Sequence, residues 1–95
     1  MATIVGLVHL EFHIPQAASL KDKRRVLKGF KDRLAAAHNI SVSEVADQNK
    51  RQRGVLAIAM VGADKRYMAG ALQKIITAAS AHRDMVLLNS EIEWI

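Results

Sequence analysis

Cysteine is absent from this sequence of 95 residues, and aromatic residues number only four, namely Phe12, Phe30, Tyr67 and Trp94. Without cysteine the protein has no disulfide, no thiolate metal site and no thiol nucleophile. Chains without disulfides are typical of reducing compartments, so we expect a cytoplasmic protein. The scarcity of aromatic residues predicts a core built from aliphatic side chains and alanine.

Long apolar segments are also lacking. The longest run, Val55 to Val61, is far shorter than the roughly 20 residues that cross a bilayer. Met1-Ala2-Thr3 has none of the basic residues that open a secretory signal. We therefore expect neither a membrane span nor a membrane partner. The length is that of one domain with a single core, so residues 1–95 are expected to form a single domain.

Acidic residues are in the minority, with nine Asp and Glu against 14 Lys and Arg and a net charge of +5. Half of the basic residues lie between Lys21 and Asn39. A basic chain attracts polyanions such as nucleic acid or an anionic membrane, although its charge says nothing about its fold.

The first half of the chain predicts a strand and a long helix. Thr3 to Ile14 alternates between an apolar face and a mixed face, as a half-buried strand does. Ser19 then suits a helix N-cap, with Asp22 three residues on as an approximate capping box. Apolar residues follow at helical spacing, while the opposite face carries cations. Gly29 inside this helix costs about 1 kcal/mol relative to Ala.

The second half predicts a hairpin, a helix and a strand. Ile40 to Ala46 reads as a strand whose apolar spacing slips once, which indicates a β-bulge. Polar residues Asp47 to Arg53, here called the hairpin tip, connect it to the apolar strand Val55 to Val61. A helix from Asp64 to about Ala81 and a strand from Met85 to Ile95 complete the chain.

The order β-α-β-β-α-β predicts an α+β ferredoxin-like sandwich, with two helices on one face of a four-stranded antiparallel sheet. In that topology the end of the first strand, the start of the first helix, the hairpin tip and the end of the second helix share one end of the molecule. The helix start adds backbone amide donors to it. Cations far apart in sequence then form one surface, which we call the basic pole: Lys21, Lys23, Arg24, Arg25, Lys28, Lys50, Arg51, Arg53 and Arg83.

The basic pole predicts contact with the phosphate backbone of RNA, which gives affinity without sequence information. The alternative is a solvated helix face with pairs such as Lys28 and Asp32, four residues apart.

The stretch S-L-K-D-K-R-R-V-L from Ser19 to Leu27, with Arg33-Leu34, Ile40 to Val45 and Glu91-Ile92-Glu93, resembles the YlxP-like family of small bacterial proteins of unknown function. The resemblance covers nearly the whole chain. It implies a ferredoxin-like fold in a cytoplasmic bacterial protein and a link to RNA or ribosome maturation, and it supplies no catalytic residues. Asn49-Lys50-Arg51 in the hairpin tip is more basic than the family pattern.

No motif predicts an enzyme, a cofactor or a metal site. Phosphate-binding and dinucleotide-binding glycine motifs are absent, and no serine lies in a nucleophile elbow. Acylphosphatases share the topology, but their glycine-rich anion loop is replaced here by His13-Ile14-Pro15-Gln16. His9 and His13 would stand roughly 13 Å apart along a strand, too far to share a metal ion.

The face of the sheet that the helices leave uncovered offers a second hypothesis. RNA-recognition domains of this topology stack bases on aromatic residues of their central strands, and both central strands here lack them. Aliphatic residues expected there, namely Val5, Leu7, Leu56 or Ala57, and Leu87, predict a homodimer through the sheet. The chain is thus expected to bind RNA or a ribosomal particle, or alternatively to act as a protein-interaction module.

Overall fold

The computed structural model describes residues 1–95 and contains all six predicted elements in the predicted order. They are β1 (Ile4–His13), α1 (Leu20–Ala37), β2 (Ser41–Ala46), β3 (Arg53–Gly62), α2 (Lys65–Ser80) and β4 (Val86–Trp94). The strands lie in the order β2-β3-β1-β4, and every neighbouring pair is antiparallel. The predicted ferredoxin-like fold is confirmed.

Both helices cover the same face of the sheet. Alternate residues of β1 and β3 share one buried cluster with the apolar stripes of α1 and α2. Phe12 and Phe30 meet at its centre edge to face, with ring centroids 5.8 Å apart. The cluster contains Val8, Leu10, Phe12, Leu56, Ile58, Met60, Leu27, Phe30, Leu34, Met68, Leu72 and Ile75 among others. The predominantly aliphatic core therefore lies between one layer of sheet and one layer of helices.

Side-chain caps start both helices. The Ser19 hydroxyl accepts a hydrogen bond from the Asp22 N–H at 3.1 Å, and the Asp22 carboxylate accepts one from the Ala18 N–H at 3.0 Å. Asp64 caps α2 by accepting the Tyr67 N–H at 3.2 Å. The predicted N-cap at Ser19 is confirmed. In the usual capping box the acidic side chain accepts the N–H of the N-cap residue, whereas here Asp22 accepts that of Ala18, one residue earlier.

Two bulges adjust which residues face the helices. The β2–β3 register shifts between Glu44 and Ala46, which confirms the predicted bulge. A second shift, in β4 opposite Glu11 and Phe12, pairs Leu87 with Phe12 and turns it toward the helices. Leu87 packs against the core, and Leu56 is fully buried there. The predicted place of Leu87 on the uncovered face is therefore wrong, and of the two alternatives for β3 it is Ala57 that lies there.

No helix covers the second face of the sheet. On the two central strands of that face, toward one end, Val5 and Leu7 of β1 lie beside Val61 and Ala59 of β3. Val61 remains 59% exposed. The chain thus leaves an aliphatic strip open. Neither helix is long and apolar enough to cross a membrane.

Candidate nucleic-acid interface

The hairpin tip packs directly on the turn between β1 and α1. Gln52 donates from Nε2 to the Pro15 carbonyl at 3.1 Å, and its own carbonyl accepts the Ile14 N–H at 2.8 Å. Arg51 donates from Nη1 to the Ala18 carbonyl at 3.3 Å. The tip and the start of α1 therefore occupy the same end of the molecule, as the topology predicted.

Lys23 holds this arrangement from inside. Its Nζ lies 2.8 Å from the Asp47 carbonyl oxygen, 3.2 Å from that of Gln48 and 3.0 Å from that of Arg53. The Glu44 Oε2 stands 2.9 Å away as an ion-pair partner. An ammonium has three protons for these four oxygens, and Glu44 Oε2 is buried without a well-directed hydrogen bond. The contact with Glu44 is thus mainly electrostatic.

The structure corrects the predicted role of Lys23. Its side chain is 0% exposed, so it cannot touch a phosphate while the tip is folded over it. The reason is visible in the helix spacing, because Lys23 lies four residues before Leu27 and seven before Phe30, on the apolar stripe of α1. Lys23 is a residue that positions the tip, and it leaves the predicted contact set.

Asp47 gives the tip its backbone geometry. It is the one non-glycine residue with positive φ, at 59°, a conformation that Asp tolerates better than most residues. Its carbonyl accepts from Lys23 and also from the Lys50 N–H at 3.0 Å, and its carboxylate lies 3.3 Å from the Lys50 Nζ. One residue therefore links the buried ammonium to an exposed cation of the basic pole.

The remaining residues of the basic pole are exposed. Four of them have a carboxylate within 4 Å: Lys28 with Asp32 at 2.6 Å, Lys50 with Asp47 at 3.3 Å, Arg53 with Glu11 at 3.0 Å and Arg83 with Asp84 at 3.8 Å. Exposed pairs of this kind are weak and exchange readily for other anions. No carboxylate lies that close to the other four, which are Lys21, Arg24, Arg25 and Arg51.

The first turn of α1 contributes side chains to this surface more than amide groups. The Asp22 N–H is already bonded to Ser19, and the Asp22 carboxylate sits at the same helix end. An anion would meet that negative charge as well as the helix dipole. The amide donors expected at this helix start are therefore partly used by the chain itself.

His82 links the basic pole to the space between the helices. Its ring meets Phe30 edge to face at 5.6 Å, and its Nδ1 accepts the Asp84 N–H at 3.0 Å. Burial lowers the pKa of His82 below its usual value, and Arg33 and Arg83 lower it further, against an opposing effect of Asp84. At a pH above that lowered pKa the imidazole is neutral, and because Nδ1 accepts a hydrogen bond its proton is on Nε2.

A groove of about 760 Å³ runs between α1 and α2 beside His82. Arg25, Arg33 and Arg83 line it together with Gly29. Arg33 was not among the predicted site residues, although its spacing of four and eight residues from Gly29 and Arg25 places all three in one row along α1. No group of three or more His, Asp or Glu side chains lies close enough to hold a metal ion.

Comparison with known proteins identifies relatives and a fold. The family described as "Protein of unknown function (DUF503)" matches residues 5–92. The chain is 30% identical over 91 residues to the "Uncharacterized protein YlxP" of Bacillus subtilis (strain 168), a match that covers 96% of this chain and 99% of that one.

Two designed proteins share the fold without close sequence similarity. Foldit4 superposes with a TM-score of 0.57 at 10% identity, covering 98% of this chain and 96% of the design. Ferredog-Diesel does so with a TM-score of 0.54 at 11% identity, covering 94% and 83%. These similarities support the ferredoxin-like architecture and carry no functional information.

Proposed function

We propose that this chain, which belongs to the DUF503 family of proteins of unknown function, is a non-enzymatic accessory protein that binds structured RNA through the basic pole. The RNA would be free or part of a ribosomal particle in the bacterial cytoplasm. The observation that carries the proposal is the hairpin tip, which Lys23 and the β1–α1 turn hold beside the first turns of α1. Without that contact the cations of α1 and of the tip would be independent.

The charge balance of the basic pole supports a polyanionic ligand. Lys21, Arg24, Arg25 and Arg51 have no carboxylate partner within 4 Å. Because exposed ion pairs contribute little, phosphates can replace the carboxylates beside the other cations at small cost. If the four unpaired side chains contact phosphates of duplex RNA, a slope of about −0.9 per contact predicts a loss of roughly a hundredfold in affinity between about 50 and 200 mM salt.

The experiment is fluorescence anisotropy with a labelled RNA hairpin at several salt concentrations. Lys21→Glu with Arg24→Glu should lower affinity strongly and flatten the salt dependence, because two phosphate contacts become repulsions. Arg66→Glu with Lys74→Glu lowers the net charge equally from exposed positions on α2, and should leave most of the affinity. Equal losses in both double variants would reduce the effect to net charge and overturn the proposed site.

A second candidate is a protein-interaction module that forms a homodimer through the sheet. It is favoured by the open aliphatic strip, where Val61 is 59% exposed in the monomer and Val5 and Leu7 are only half-buried. Covering such a strip removes apolar surface from water. RNA binding and dimerisation use different faces and are compatible.

A further inference from the structure

The groove between the two helices combines an apolar floor with cationic walls. The floor comes from aliphatic and aromatic side chains and alanines of both helices, namely Val26, Phe30, Leu34, Ala37, Ala78 and Ala81. Its volume of about 760 Å³ falls in the range of small-molecule sites, roughly 300–1,000 Å³. No side chain of this chain fills it.

Three arginines line the groove beside that floor. Arg25 and Arg33 come from α1, and neither has a carboxylate within 4 Å. Arg83 approaches from beyond α2, 3.8 Å from Asp84, which is the one acidic residue in the lining. Guanidinium groups bind phosphate in a bidentate manner and also stack on planar rings. The walls are therefore suited to an anion that has a flat apolar part.

Gly29 makes room between two of these arginines. It lies midway between Arg25 and Arg33, which stand about 12 Å apart along the helix axis at 1.5 Å per residue. A Cβ added at Gly29 would meet nothing within 4 Å, so packing inside this chain does not require glycine there. Glycine nevertheless weakens a helix interior. Gly29 therefore leaves open backbone surface between the two arginines, against which a planar ligand can lie.

His82 adds a directed polar group. The ring is half-buried in the groove lining, and Nδ1 is occupied by the Asp84 N–H. The Nε2 proton has no partner in the chain and is not among the buried unpartnered atoms, so it remains available as a donor. A neutral donor beside an apolar floor suits a ring nitrogen or carbonyl better than a second phosphate.

We propose that the groove between α1 and α2 binds a nucleoside phosphate, with the base on the apolar floor beside Gly29 and His82 and the phosphate among Arg25, Arg33 and Arg83. The ligand is either a free nucleotide or one unpaired nucleotide of an RNA strand. In the second case the inference rests on the proposed function and extends the basic pole, through Arg25 and Arg83, into a pocket that holds a single base.

The test is an NMR titration of the labelled full chain with AMP, GMP, CMP, UMP, inorganic phosphate and a short unstructured RNA. At least one mononucleotide, or the short RNA, should shift the amide signals of Gly29, Ala78 and His82 at concentrations where inorganic phosphate does not. Binding of mononucleotides identifies a free-nucleotide site, whereas binding of the short RNA alone identifies an RNA-borne nucleotide. Equal shifts with inorganic phosphate would show anion attraction only and overturn the proposal, as would the absence of any shift at these residues.

Variants separate the groove from the rest of the surface. Gly29→Leu should lower affinity for the ligand at least about tenfold by filling the space, while Gly70→Leu, at the other glycine whose Cβ would meet nothing, should not. Arg33→Gln should also lower it about tenfold, the effect of one charged hydrogen bond. Unchanged binding by both groove variants would overturn the proposal.

The same variants distinguish this inference from the proposed function. Arg33 lies outside the predicted contact set of the basic pole, and Lys21→Glu with Arg24→Glu leaves the groove lining intact. Loss of duplex RNA binding in the double variant with nucleotide binding retained would support both proposals. Circular dichroism spectra that match the unmodified chain are the control for folding in each case.

Discussion

At the scale of single residues, Lys23 is the buried charge on which the hairpin tip depends. Lys23→Met keeps the length of the side chain and leaves Glu44 and three carbonyl oxygens without their cation. Breaking a buried pair in this way costs about 3–5 kcal/mol, so urea unfolding should show a loss of that size. Arg24→Met, one position along and exposed, should change the free energy of unfolding by less than about 0.5 kcal/mol. Similar values for the two variants would contradict the role assigned to Lys23.

Protonation of His82 should weaken the fold. Its pKa is lowered in the folded chain and is about 6.5 in an unfolded one, so between the two values the unfolded state binds more protons. Stability is then fully present above about pH 6.5 and falls as the pH drops through that value toward the lower pKa of the folded chain. Protonation also places a proton on Nδ1, the atom that accepts the Asp84 N–H.

His82→Asn retains an acceptor and does not titrate, which makes it the matched variant. The difference in free energy of unfolding between pH 7.5 and pH 5.5, measured by urea titration, should be smaller in His82→Asn than in the unmodified chain. Arg33, Arg83 and Asp84 face His82 and are the same in both proteins. An equal or larger pH dependence in the variant would contradict the prediction.

The sequence placed the residues of the basic pole at the surface, and eight of the nine are exposed, but it misplaced Lys23. The positive charge of Lys23 predicted an exposed position, whereas its helical spacing placed it in line with the buried residues Leu27 and Phe30. The second clue was Glu44, an acidic residue that shares the inward face of its strand with Val42. Two opposite charges at inward positions of neighbouring elements indicate a buried pair, and neither pattern reveals it alone.

At the scale of elements, Gly6 of β1 lies against Leu72 of α2 and Trp94 of β4. A Cβ there would lie 2.8 Å from Leu72 Cδ1 and 2.9 Å from Trp94 Cζ3, closer than packed carbon atoms approach. Gly6→Ala should therefore destabilise the protein by about 1–3 kcal/mol, the usual cost of overpacking. Thermal or urea unfolding measures it.

Gly29→Ala should do the opposite and stabilise the protein by up to about 1 kcal/mol. A loss of stability in Gly29→Ala would contradict the open surroundings of Gly29.

The positions of the elements and one of the two bulges could be predicted from the sequence, whereas the bulge in β4 could not. The alternation in β1, the Ser19 cap and the polar hairpin tip located the elements to within a few residues. The bulge in β2 showed in the sequence as a slip from even to odd spacing among its own apolar residues, Ile40, Val42 and Val45. The bulge in β4 changed the facing of Leu87 without such a slip, since Val86, Leu87 and Leu88 are all apolar. Register in an apolar run is set by the partner strand.

At the scale of the whole molecule, the open face of the sheet is the surface through which the proposed homodimer would form. If two copies cover it, sedimentation should show a dimer whose fraction rises with protein concentration and hardly changes with salt. Leu7→Asp should shift the protein to monomer, because it places a charge in the aliphatic strip. Gln73→Asp, on the exposed side of α2, should leave the dimer intact. A monomer at every concentration would contradict the homodimer.

The order of elements carried most of the prediction at this scale. Because strand direction alternates in a β-α-β-β-α-β chain, the order of elements alone predicts that the hairpin tip lies beside the start of α1. It does not reveal the width of the space between the helices. The width of that space depends on the small residues Gly29, Ala37, Ala78 and Ala81. It also depends on the distance between Arg33 and Arg83, which belong to different segments, so that residue spacing along one helix does not predict it.

Lys23 supplies from the chain itself what many loops take from a metal ion, a positive charge at the centre of several carbonyl oxygens. Such a cation is covalently tethered, so it does not dissociate and a chelator does not remove it. We therefore expect the shape of the tip to be the same in media of different ion content. Any change of ligand affinity with salt then reports on the ligand contact and not on a rearranged loop.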